Sequence, residues 1–212
     1  MKHLAVTAAA LFVSGCAAMA DLGDQIANLG QVSVEQSAFD GSTTVALSPT
    51  WMAPAEETGL LTPSLQMGAK WHSDLPDRAL LIFAHPSSTS GGNAFTTFTL
   101  VEINVDGEIR SFEPGRTKYD SGTYNTVSRN IYTDSSAAIV VPYDYLKRMI
   151  SANRTLLRIS TSDGYVETNF TEPTRYGGAT TITRMPAFIE RVDGFIQMQK
   201  NAEFGRPVSA QN

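Results

Sequence analysis

The side chains able to do acid–base or metal chemistry are few and fall close together. His72 is followed by Asp74 and Asp77, and one further apolar run leads to His85. Imidazole and carboxylate are common zinc ligands and the usual proton-transfer partners, so these four are the candidates for a metal or acid–base site. The stretch His85-Pro86-Ser87-Ser88-Thr89-Ser90-Gly91-Gly92-Asn93 sets a histidine beside hydroxyls and flexible backbone. The chemistry this permits is a hydrolase with His85 as base and Ser87 or Ser90 as nucleophile. The motifs that would make it specific are missing: no G-x-S-x-G elbow, and no G-x-x-x-x-G-K-[ST], since no lysine follows the glycines. Adjacency in sequence is also not the geometry of a triad, in which His must point at Ser and be held by a third group. The plainer expectation is a polar loop between two strands.

The elements around these residues decide whether they meet. Residues 65, 67, 69 and 71 are apolar in strict alternation, which predicts a strand with one buried and one wet face. His72 falls on the wet face. Residues 79–84 are continuously apolar and short, as expected of a strand covered on both sides. If 65–72 and 79–85 pair as an antiparallel hairpin, His72 sits by the turn and His85 at the open end, roughly 20 Å apart. That is too far to share an ion, so neither a metal nor a cofactor is expected.

Further strands are predicted at 32–39 and 43–47 around Asp40-Gly41, at 98–105 and 108–112 around Asp106-Gly107, and at 155–161 and 165–170 around Asp163-Gly164. Asp-Gly is a strong hairpin turn because both residues tolerate positive φ. Strands at 124–133 and 137–141 lead to Pro142, which has no N–H to donate and suits the first turn of a helix over 143–152. Residues 174–181 read as a connection to a last helix opened by Pro186, with an apolar stripe at 188, 189, 192, 195 and 196. Tyr119, Tyr124, Tyr132, Tyr143, Tyr145, Tyr165 and Tyr176 all fall in the second half of the chain, as a binding patch or as ordinary strand residues. The expected fold is α+β and mainly antiparallel, a sandwich or curled sheet of about ten strands with one short helix and a C-terminal helix.

Composition bounds the rest. The chain has 212 residues, 42% of them hydrophobic, and 16 basic against 21 acidic side chains give a net charge of −5. Such a chain can build a core, and its acidity argues against nucleic-acid binding, which asks for a basic face. A single cysteine, Cys16, excludes a disulfide within the chain. Lys2 and His3 precede an apolar run over 4–13, which reads as a secretory signal peptide. As a helix, ten residues reach about 15 Å, half of a hydrocarbon core of about 30 Å, so the run is no membrane anchor by itself.

Val13-Ser14-Gly15-Cys16, which follows that run, resembles the lipobox of bacterial lipoproteins. The resemblance implies a diacylglyceryl group on the Cys16 sulfur, cleavage before Cys16, and two or three acyl chains in all. Such an anchor holds far better than one chain, at roughly 0.8 kcal/mol per buried methylene. Ala17 rather than aspartate after the cysteine implies outer-membrane delivery in a Gram-negative cell. A competing site is Ala18-Met19-Ala20 before Asp21, an A-x-A sequence whose cleavage would leave a soluble periplasmic protein. The expected organisation is a signal peptide over 1–15, a lipidated tether over 16–30, one domain over 31–204 and a tail over 205–212. The expected function is non-enzymatic: an anchored binding or scaffolding module with an envelope-protein or cell-wall partner. A soluble periplasmic hydrolase or small-ligand-binding protein is the alternative.

Overall fold

The computed structural model describes residues 29–54, 65–89, 95–125, 130–171 and 180–204. A six-stranded sheet runs in the order β1(Val32–Gln36), β2(Thr43–Trp51), β4(Gln66–His72), β5(Arg78–Thr89), β9(Asn130–Pro142), β8(Lys118–Asn125). A five-stranded sheet runs β3(Ala53–Pro54), β11(Gly164–Asn169), β10(Thr155–Thr161), β6(Phe98–Val105), β7(Glu108–Phe112). Every pairing between these strands is antiparallel. Two helices, α1(Tyr143–Ser151) and α2(Thr181–Phe204), complete an α+β fold.

Alternation explains how the sheets share a core. Met67, Ala69 and Trp71 of β4 and Leu81 and Phe83 of β5 are buried, and so are Val101 and Ile103 of β6 and Leu157 and Ile159 of β10, all in one cluster. Backbone-to-side-chain bonds tie the sheets together at one end. Thr96 N–H donates to Ser135 Oγ at 3.0 Å, and Phe98 N–H to Thr117 Oγ1 at 3.1 Å. The β4 pattern is as its sequence predicts. On β5 the second face is only half-covered, at Leu80 and Ile82, so 79–84 is not buried on both sides.

Of the three Asp-Gly pairs only Asp106-Gly107 forms the predicted two-residue turn; at the third, Thr161 pairs with Gly164, so Ser162-Asp163 turn the chain and Gly164 opens β11. Asp106 has φ 50° and Gly107 φ 96°, the left-handed pair of a two-residue hairpin. At the first hairpin β1 stops at Gln36, short of the predicted residue 39, and Asp40 ties the loop by accepting from Ser42 N–H and Oγ. Three other boundaries differ from the sequence reading. The segment 124–133 straddles two strands, because Tyr124 of β8 pairs with Ile131 of β9 and Asn125 with Asn130. Residues 137–141 belong to the same continuous β9. His85–Thr89, expected in a loop, continue β5, each paired with β9 from His85–Ser135 to Thr89–Ile131. Pro86 is tolerated there because β4 pairs no further than Ala84, so among the described residues β5 has no partner on that side.

α1 begins after Pro142 and buries Leu146 and Met149, with Ile150 partly buried beside them, and it also buries Tyr143 and Tyr145. α2 begins five residues before the predicted Pro186. The Thr183 hydroxyl ties its start to the Thr180 backbone on both sides: Thr180 N–H donates to Thr183 Oγ1 at 2.9 Å, and that hydroxyl donates to Thr180 C=O at 2.8 Å. The Thr181 hydroxyl lies 3.2–3.3 Å from the carbonyls of Thr50, Trp51 and Met67, which pins the first turn to β2 and β4. Pro186 forgoes one helical bond, to the Ile182 carbonyl, while Met185, Phe188 and Val192 bury the helix face around it.

Candidate functional site

The His72 group forms a solvated turn. His72 Nδ1 accepts the Asp74 N–H at 3.3 Å and lies 3.9 Å from Asp74 Oδ2, with the imidazole 39% exposed. Asp77 turns instead toward Arg78, at 3.6 Å. His85 sits at the far end of the β4–β5 hairpin, where Gln66 pairs with Ala84, so the histidines stay apart as their spacing requires. Among the described residues no three His, Cys, Asp or Glu side chains converge on a point that could hold a metal.

His85 stands at one end of a polar row. It pairs with Ser135 on β9, which pairs with Tyr119 on β8. The row lies on the face that carries Phe83 and Ala137, two residues along. Tyr119 is 2.7 Å from Thr97 Oγ1 and stacks edge-on against Phe95. Ser135 Oγ is committed to the Thr96 amide, and His85 Nδ1 is buried without a hydrogen bond. Ser87 is the next residue on the same face, about 6.8 Å along the strand, and no hydrogen bond joins it to His85. Ser90 and Cys16 lie outside the described residues. Among the described residues no hydroxyl nucleophile is hydrogen-bonded to His85 Nδ1. On the opposite face Asp134 pairs directly with Asp120, and burial, then the Asp120 charge, raises its pKa.

The tyrosines do not make one patch. Tyr143 and Tyr145 are core residues whose pKa is raised, first of all by burial. Tyr119 and Tyr165 are exposed on different sheets. The side chains of Tyr124, Tyr132 and Tyr176 lie outside the described residues.

The feature with convergent polar groups is one the sequence reading did not single out. The outer face of the five-stranded sheet holds a groove of about 240 Å³ lined by Glu102, Asn104, Ile109, Arg154, Leu156, Arg158, Glu167 and Asn169. Three strands and the residue before β10 supply the polar groups, because alternation sends every second side chain outward. Arg158 donates to Glu167 at 2.7 and 2.8 Å, lies 3.6 Å from Glu102, and covers the Tyr165 ring at 5.3 Å. Its pKa is raised, first by the Glu167 hydrogen bond. Asn169 Oδ1 accepts from Thr171 N–H and Oγ1 at 3.2 and 3.0 Å. The sequence signal was an outward row of Glu, Asn and Arg on adjacent strands, indistinguishable strand by strand from an ordinary wet face. No family model, no curated protein and no solved structure matches the chain.

Proposed function

We propose that this chain is a lipid-anchored bacterial envelope protein that works in the periplasm as a non-enzymatic binding or scaffolding module. Val13-Ser14-Gly15-Cys16, after a basic start and an apolar run, carries the anchoring. Cys16 would take the diacylglyceryl group, and Ala17 after it points to the outer membrane. The fold supports binding over catalysis: the groove gathers hydrogen-bonding side chains around an aliphatic floor, while among the described residues His85 Nδ1 has no hydrogen-bonded nucleophile. A second support is the far part of α2, where Met198 stays 57% exposed beside Phe195 and Val32, an apolar flank of the kind that partners cover.

Ala18-Met19-Ala20 favours a second reading, a soluble periplasmic hydrolase or ligand-binding protein released before Asp21. Fractionating cells that express the Cys16→Ala variant separates the two. An anchored protein shifts from the membrane fraction to the soluble periplasm. A soluble one shows the same distribution with and without the substitution, and that result removes the anchored reading.

A further inference from the structure

We propose that the groove on the five-stranded sheet binds a free peptide carboxy terminus whose last residues are small and aliphatic. This deepens the reading of the chain as a binding module and rests on it. The groove is laid out as a cross. Leu156, half-buried, is its centre, and Asn169 on β11 and Asn104 on β6 are its direct register partners to either side. Along the chain, Arg154 and Arg158 flank Leu156 on the same face at about 6.8 Å each way. Ile109 of β7 pairs with Asn104 and extends the aliphatic floor.

The polar groups differ in what they still have to offer. Arg158 is consumed by Glu167 and Glu102. Arg154 uses its backbone N–H on Asp106, and its guanidinium makes no ion pair or hydrogen bond among the described residues. Asn104 Oδ1 accepts the Gly107 N–H at 2.8 Å, and Asn169 Oδ1 accepts two bonds from Thr171. These bonds fix both amides so that each has its NH2 left to donate. Asn169 is only 8% exposed, yet it lines the groove with that donor making no hydrogen bond among the described residues.

Beside the carboxylates of Glu102 and Glu167, which pair with Arg158, the groove's uncommitted polar groups among the described residues are donors: a guanidinium and two amides around an aliphatic centre. Its complement is a group of acceptors around an aliphatic side chain. A peptide end supplies that set, with a carboxylate for Arg154, the preceding carbonyl for an asparagine, and a small side chain over Leu156 and Ile109. The groove volume, about 240 Å³, lies below that of a drug-sized pocket and suits one or two small residues. A carboxylated sugar carries the same anion but adds hydroxyl donors, and the acceptors here, Glu102 and Glu167, are already engaged by Arg158.

Isothermal titration of the processed protein with N-acetyl-alanyl-alanine tests this, with the carboxy-terminal amide of the same dipeptide and glucuronate as comparisons. The free acid is expected to bind. Amidation and R154Q are each expected to weaken it roughly tenfold or more. Arg154 is exposed and its side chain holds no partner, so R154Q should leave the melting temperature unchanged. Absence of binding at about 10 mM overturns the proposal, as does equal binding of the amide, an unaffected R154Q, or a preference for glucuronate. The titration reads the same whether the chain begins at Cys16 or Asp21, so failure of the groove and failure of the anchor are told apart.

Discussion

Single residues carry the sharpest consequences. Asp134 faces Asp120 directly across β8 and β9, and its pKa is raised by burial and by that charge. A carboxyl whose folded pKa exceeds its unfolded value contributes stability below the unfolded pKa and loses it as pH rises through the folded one. At neutral pH the pair is therefore a net cost, and Asp134→Asn should stabilise the fold by a few tenths of a kcal/mol after solvent screening. Denaturant midpoints should show the gain at pH 7 and its loss near pH 3. Asp40 has the opposite sign. Hydrogen bonds from Ser37 and then Ser42 hold its pKa at about 2, so its contribution is present above the usual carboxylate range and lost only as pH falls toward that value. Gly68 is a third case, because a Cβ there would meet Leu47 O at 2.5 Å and Pro49 N at 2.9 Å, both backbone. Gly68→Ala should cost about 1–3 kcal/mol, read from the shift in urea midpoint. Lys70 or Gln66 on the same strand, facing water in part, should tolerate alanine far better.

Elements show what local sequence can and cannot specify. The β4 strand is legible at 65, 67, 69 and 71 because a period of two has no other use than a half-buried strand. The Asp106-Gly107 turn is legible because few other residue pairs accept two positive φ angles. The extension of β5 through His85–Thr89 is not, since its hydroxyls and proline look like loop and only pairing with β9 makes them strand. The start of α2 is hidden for a similar reason. Pro186 is a good first helical residue in isolation, whereas the actual start depends on Thr181 reaching carbonyls of β2 and β4 far away in the chain. Thr181→Val keeps the shape and removes that donor. It should cost about 1–3 kcal/mol and speed amide exchange in the first turns of α2 more than in α1. Unchanged exchange would mean that Met185 and Phe188 alone hold the helix.

At the scale of the molecule, one core joins both sheets and both helices, and the outward faces are left for contact. Phe188 is fully buried in that core from α2, so Phe188→Ala should cost about 3–5 kcal/mol and lower the cooperative unfolding of the whole domain by calorimetry. The candidate site was only half legible. Sequence offered His85, Ser87 and Ser90 only as the alternative to a polar loop, and no hydrogen bond joins the described members, His85 and Ser87. The groove residues were individually unremarked because Arg154, Leu156, Asn104 and Asn169 come together only through the register of β6, β10 and β11. Anchoring is the part of the proposed function that rests on sequence alone, and it would set where this surface makes its contacts. The intact mass of the membrane-extracted protein, with a peptide map of its N-terminus, tests it most directly. A chain beginning at Cys16 and carrying two or three acyl chains is the expected result, whereas an unmodified chain beginning at Asp21 would contradict the account.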